Sequence, residues 1–386
     1  MTRLRGLTWR HPRGVSPLRA TAAAYALLHP DTTIQWDDLP WHQFWQVSVN
    51  EMRGHSGCYD LYLFDHPWVG ELAENGWRIP LDIFLSTEQR ADLEADADPA
   101  SYQSYVWGKQ AWGLPVDAAC HVLVFHPDLV ESATLPTDWD ELLALARTRH
   151  RPPHRYAFTA PWSGGSNALL FFLAILAATS ERPFEDPARP TITPERGRRA
   201  LEILRQVWEM SLPAERVAVG RGVYEVLLET DQAAIAVSVF AYINYFGSGA
   251  AHRLGIADVP VLPETGARTS LLGGMGLGIS ADCSAPHRAW EYAGYVMSKP
   301  VEGGLYVDHG GQPGRLSALG DRVIEARTGS FCPTLRRALH GYYIRPRYPR
   351  WLEIVNGGAP ALERFLAGAA SADQTLHALH TRAQTL

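Results

Sequence analysis

The sequence predicts an α/β protein with mixed, mostly parallel sheets flanked by helices. Three observations carry this. The first 65 residues read strand-helix-strand-helix-strand, the signature of a parallel sheet with helices on its faces. Further apolar strand runs recur downstream between amphipathic helices. The chain has 386 residues, 46% hydrophobic and 20% charged, which is enough apolar material to bury cores without disulfides or metal. At roughly 100–200 residues per domain, that length holds two or three domains.

Leu4 to Trp9 reads as the first strand and His11-Pro-Arg-Gly14 as a turn. Ser16 then reads as a helix N-cap with Pro17 at the first helical position, and Leu18, Ala22, Tyr25 and Leu28 recur at helical spacing until Pro30. Thr32 to Trp36 is a second strand. Trp41 to Met52 is a second helix with Phe44, Trp45 and Val47 facing inward, and Asp60 to Phe64 is a third strand ending at His66-Pro67. In such a sheet, ligands sit beyond the carboxyl ends of the strands. That places Trp9 to Arg13, Trp36 to Trp41 and Asp65 to Trp68 along one rim.

Downstream, His121 to Phe125 reads as a strand, and Pro136 opens a helix with Thr137 as its cap. Tyr156 to Thr159 is a strand, and the loop Pro161 to Asn167 leads into an apolar helix. Thr193-Pro194 starts another helix, Ala233 to Phe240 is a buried strand, and Leu271 to Ile279 is a glycine-rich strand before a helix from about Pro286 to Ser298. Loops are expected at His309 to Ser317 and Tyr343 to Trp351.

Composition narrows the function. A net charge of -6 argues against nucleic acid, which needs a concentrated basic face. Lys109 and Lys299 are the only lysines and neither follows a glycine-rich phosphate loop. Cys58, Cys120, Cys283 and Cys332 are too widely spaced for a zinc pattern and read as free thiols. The 15 histidines form no His-Glu-x-x-His motif, so neither a metal nor a cofactor is expected. Gly276-x-Gly278-x-x-Ala281 is followed by Asp282 to Pro286 rather than by a helix, which discounts a dinucleotide loop. There is no Gly-x-Ser-x-Gly elbow, and no enzyme is expected. Met1 to Arg13 carries four arginines and no apolar core, so no signal peptide is read there. Taken alone, the sequence reads as cytoplasmic, or as a mature chain whose leader is missing.

The ordered set Asp60-Leu-Tyr-Leu-Phe-Asp65, Gly113-Leu-Pro-Val-Asp117, Pro136-Thr-Asp-Trp-Asp-Glu-Leu142, Asp231-Gln-Ala-Ala-Ile-Ala236 and Gly273-Gly-Met-Gly-Leu-Gly-Ile279 resembles the family 1 extracellular solute-binding proteins of bacterial ABC importers, the sugar-binding class that includes maltose-binding protein. The order spans nearly the whole chain. The resemblance implies a two-lobed periplasmic-binding-protein-like fold (type II) whose cleft closes on a solute by hinge motion. One lobe would be residues 1–112 plus 260–305 and the other 118–253 plus 310–386, with hinges near 114–118, 255–260 and 305–310. It implies a periplasmic or extracellular monomer that presents a sugar, polyol or sugar acid to the membrane subunits of a transporter. The alternative is a cytoplasmic member that uses the fold as a sensor or an enzyme.

Sugar sites set aromatic faces against the C–H face of the ring and add carboxylates, amides and arginines for the hydroxyls. The rim supplies Trp9, His11, Trp41, Trp45, Asp65, Trp68, Asp117, Trp162, Tyr242, His309 and Arg315. For any one of the 13 tryptophans a core position is the simpler reading, but Trp9, Trp68 and Trp162 stand at strand-to-loop boundaries. Asp117 reads equally as a hinge carboxylate tied to local backbone. Ser163, in a loop before a helix, offers a polar contact or simply a capped loop. The resemblance makes Gly273 and Gly274 positions where backbone approaches the ligand. Arg315 could fork onto a carboxylate, and Arg10, Arg13, Arg345 and Arg347 leave an acidic ligand open.

Overall fold

Strand β1 (Thr2–Trp9), helix α1 (Pro12–Leu28), strand β2 (Thr32–Leu39), helix α2 (Trp41–Arg53) and strand β3 (Leu61–Asp65) open the fold. The structure is a computed structural model. It describes residues 1–97, 99–162, 166–182, 184–185, 192–218, 222–247, 254–268 and 270–384. A hairpin of β4 (Val106–Trp107) and β5 (Gln110–Ala111) precedes the long strand β6 (Leu114–Phe125). There follow β7 (Tyr156–Thr159), β8 (Ala233–Phe240), β9 (Gly255–Ala257), a second long strand β10 (Ser270–Ile279) and β11 (Tyr342–Tyr343).

One mixed sheet runs in the order β2-β1-β3-β10-β6-β8-β7, with β11 beside β10 and β9 beside β6. Strand β1 is parallel to β2 and β3, and β7 is parallel to β8. The long strands run against most of their neighbours: β10 is antiparallel to β3 and β6 but parallel to β11, and β6 is antiparallel to β8 and β9. The first half of β6 therefore pairs with β10 and its second half with β8 and β9.

That change of partner carries the chain between cores. One core gathers Leu7, Phe44, Leu63, Leu114, Leu277, Ile279 and Tyr292 around the β2-β1-β3 end. A second holds Leu123, Trp139, Phe158, Leu169, Leu204, Leu271 and Leu362, and a third holds Val122, Val124, Leu227, Leu272, Phe331 and Leu335. Successive residues of β6 point to opposite faces, so Val122 and Val124 enter one core while Leu123 and Phe125 enter the other. With both faces covered, all of β6 is buried, which explains its nearly unbroken apolar run.

Several local expectations need correction. Helix α1 begins at Pro12, not at Ser16-Pro17: the His11 side chain caps it by accepting from the Arg13 amide at 3.2 Å, and Pro12 takes the first helical position. Pro17 therefore lies inside the helix. The helix Trp139–Arg149 is capped by Asp138, which accepts from the Glu141 amide at 2.9 Å, and not by Thr137. In α2 the buried face is Phe44, Ser48, Val49 and Met52, with Trp45 and Val47 only partly covered. Trp36 is no rim residue: it is buried beneath α1, packs on Gly6, and donates to the Tyr292 hydroxyl at 3.0 Å. Strand β8 and the helix start at Thr193-Pro194 fall where the sequence places them. No helix among the described residues is long and apolar enough to cross a membrane.

Candidate functional site

Sheet register places two carboxylates in one row. Met275 of β10 pairs with Asp65 of β3 on one side and with Asp117 of β6 on the other. Directly paired residues share a face, and two strand spacings separate the outer pair by roughly 10 Å. Both carboxylates are buried, and each meets an arginine from outside the sheet.

Arg345, just after β11, grips Asp65 with both Nη atoms, at 2.8 and 2.6 Å, and spends its Nε on the Leu272 carbonyl at 3.2 Å. Arg13, in the first turn of α1, donates to Asp117 Oδ1 and lies over the Tyr242 ring at 4.1 Å. Asp117 is only 1% exposed. Burial pushes its carboxyl up, Arg13 pulls it back, and the charge of Asp65 adds to the rise.

The loop after β8 closes on the same corner. His11 Nδ1 accepts from Arg13 N, so the neutral ring carries its proton on Nε2 and can donate to the Tyr245 hydroxyl, 3.3 Å away. Tyr245 donates in turn to Glu225 at 2.5 Å. Burial, reinforced by Arg13, holds His11 down to about 4, consistent with that neutral form. Tyr224 stacks on Tyr245 at 4.3 Å and on Tyr242 at 5.8 Å, giving three nearly parallel rings. On the other side, Trp9 meets Trp41 edge-on at 6.3 Å, and Trp68 contacts Trp41 at 6.2 Å and Trp45 at 4.0 Å. Trp41 is 52% exposed, an apolar surface available for stacking.

Four buried polar atoms around the two ion pairs have no hydrogen-bond partner among the described residues: Asp117 Oδ2, Arg13 Nε, Tyr105 OH and His66 Nε2. Native interiors rarely leave such groups unmet. Tyr105 lies within reach of both pairs: burial, then the charges of Asp65 and Asp117, push its phenol well up. Burial and then Arg345 hold His66 well below its usual range. The set mixes an acceptor, a donor and groups that do either, which suits hydroxyls that donate and accept at once.

Not every candidate joins this group. Trp162 is 7% exposed and packs on Trp208 at 5.0 Å within the second core. Ser163 lies outside the described residues. His309 is exposed just after the π-helical turn Val301–Tyr306. Arg315 does fork onto carboxylates, but they are the protein's own: its Nη1 donates to Asp92 at 2.8 Å and Asp96 at 3.0 Å, and its Nε donates to the Met297 carbonyl at 2.5 Å. Gly273 packs against Phe240. Gly274 adopts φ +116°, and a Cβ there would strike the Asp117 carbonyl, so glycine lets β10 lie close to the site.

Sequence reasoning passed over Tyr105, Tyr224 and Tyr245. It also passed over Gln312, which donates to the Ala118 carbonyl and accepts from Ile243 N at 3.1 Å. The turn Gly310-Gly-Gln-Pro-Gly signalled Gln312; nothing local signals Tyr105. No cluster of three or more His, Cys, Asp or Glu side chains suited to a metal occurs among the described residues.

The model of the bacterial extracellular solute-binding protein family matches residues 11–302, three quarters of the chain. The chain belongs to that family. Solved solute-binding proteins share its fold. One is an ABC transporter solute-binding protein from Agrobacterium radiobacter K84 in complex with ribitol, 22% identical, covering 100% of this chain and 98% of that one at a TM-score of 0.86. The maltose-bound MalE3 of T. maritima is 15% identical with full coverage of both chains, also at 0.86. A solute-binding protein from Thermotoga lettingae bound with alpha-D-tagatose is 17% identical, covering 100% and 99%, at 0.82. In this solute-binding protein β6 pairs with β10 through its first half and with β8 and β9 through its second.

Proposed function

We propose that this solute-binding protein captures a sugar or polyol in the cleft around Asp65, Asp117, Arg13 and Tyr105, and presents it to the membrane subunits of an ABC importer. The observation that carries this is the set of unmet buried polar atoms on Arg13, His66, Tyr105 and Asp117, bordered by the stacked tyrosines and the tryptophan cluster. Hydroxyls satisfy such atoms, and the rings cover the apolar face of a sugar. The ligands of the structural neighbours, ribitol, tagatose and maltose, are of this kind.

The working cycle follows from the chain's organisation. One lobe is built on β1, β2 and β3 and the other on β7, β8 and the second half of β6, with hinges near residues 114–118, 255–260 and 305–310. His11 and Arg13 come from the first lobe, Tyr242 and Tyr245 from the second, so closing the lobes completes the site. A ligand favours the closed form by its differential affinity for it. The protein acts as an extracellular monomer without covalent chemistry on the solute. A thermal-shift screen across sugars and polyols tests this, because a ligand at a hundredfold excess over Kd adds about 2.7 kcal/mol to the folded state. A panel that leaves the melting point unmoved overturns the reading.

A further inference from the structure

Every arginine that the sequence places near the cleft is already engaged. Arg345 commits both Nη atoms to Asp65 and its Nε to a backbone carbonyl. Arg13 is paired with Asp117. Arg315 is held by Asp92 and Asp96, and Arg10 by Asp38 at 2.7 Å. Arg347 donates to the carbonyls of Gln103 and Val106. Of these, Arg345 and Arg13 are matched one for one by the two carboxylates of the β3-β10-β6 row.

We infer that the cleft selects uncharged solutes over anionic ones, and that Asp65 and Asp117 are the residues that set this, by cancelling the charges of Arg345 and Arg13. The inference rests on the cleft being the solute site. An anion entering it finds the Arg345 fork filled by Asp65 and the Arg13 charge met by Asp117. To take the Arg345 fork it must displace bidentate Asp65, and that carboxylate then stays buried with no partner. It also brings a third negative charge close to two existing ones, and such juxtapositions discriminate strongly where water is excluded. A polyol needs only single donors and acceptors, which Arg13 Nε, Tyr105 OH and Asp117 Oδ2 supply. Asp65 thus acts as a specificity position, its carboxylate occupying the fork that an acid group would take.

The test compares neutral probes (ribitol, D-tagatose, maltose) with acidic ones (D-ribonate, D-gluconate, D-galacturonate) by calorimetric titration and melting point. The wild type is expected to bind its best neutral probe at least about tenfold more tightly than any acid. Asp65→Asn leaves the Arg345 charge uncancelled, so acid affinity rises about tenfold or more relative to neutral affinity, with a steep salt dependence. The double variant Asp65→Asn, Arg345→Gln restores neutrality and returns the wild-type preference. It also keeps the test decisive if the single variant folds poorly. An acid that binds the wild type as tightly as the best neutral probe overturns this inference while leaving the solute-binding reading intact. Failure of both classes to bind overturns both.

Discussion

Asp65 and Asp117 flank Met275 in a single row across β3, β10 and β6, and each carboxylate is held by an arginine from a different part of the chain. Arg13 reaches the row from its N-terminal end and Arg345 from beyond β11, so the site assembles only when segments hundreds of residues apart in sequence have packed together.

Breaking one of these pairs is expected to cost more than removing both partners. Arg345→Leu leaves a buried carboxylate unpaired and should destabilise the fold by roughly 3–5 kcal/mol. Adding Asp65→Leu should recover most of that loss, because the double variant buries no lone charge. Urea denaturation of the two variants checks this; a double variant no more stable than the single one would be inconsistent with charge pairing as the cause.

Gly274 is constrained twice, by its φ of +116° and by the nearby Asp117 carbonyl. Gly274→Ala is expected to destabilise by about 1–3 kcal/mol and to weaken solute binding by displacing Asp117. The neighbouring Gly276 has no positive φ; a Cβ there meets the Tyr105 ring instead, so its replacement disturbs the site through Tyr105. Parallel stability and binding measurements on the two variants separate the effects.

Two tryptophans should separate binding from folding. Trp41 is half exposed at the rim, so Trp41→Ala is expected to weaken sugar binding by about 1–3 kcal/mol with little change in melting point. Trp162 is a core residue, and Trp162→Ala should cost about 3–5 kcal/mol of stability. The reverse pattern would place the solute near Trp162.

Acid should loosen the fold through its buried histidines. His121 is 2% exposed beside Phe240, and burial, with Arg345 nearby, holds it down to about 3, against 6.5 when unfolded. A histidine with a lowered folded pKa supports the fold fully above its unfolded pKa and loses that support as pH falls towards the folded one. At pH 5, 1.5 units below the unfolded value, the loss is about 2 kcal/mol for His121 alone. His11, held down to about 4, adds in the same direction. Melting curves from pH 7.5 to 4.5 should fall steadily, and His121→Gln should flatten them.

The sequence made some of this legible and hid the rest for physical reasons. Strands announce themselves by apolar runs, so β1, β3, β8 and β10 were readable to within a residue or two. Helix starts were harder, because a histidine cap at His11 and an aspartate one residue past Thr137 satisfy amides as well as the usual candidates do. Asp65 was visible as a site candidate because it ends the third strand at the rim, and Asp117 because it closes the Gly113-Leu-Pro-Val-Asp117 segment. Their partners were not: which arginine meets which carboxylate depends on long-range packing, and Arg13, Arg315 and Arg345 look alike in sequence. Trp162 shows the converse, a boundary residue drawn inward by Trp208.

Calorimetric titration of ribitol, D-tagatose and maltose into the wild type and into Asp117→Ala tests the central claim most directly. The expected result is saturable, one-to-one binding of at least one of these solutes by the wild type, weakened at least about tenfold, or 1.4 kcal/mol, in the variant. Binding of none of them, or binding to Asp117→Ala as tight as to the wild type, would contradict a solute site built on the Arg13–Asp117 pair.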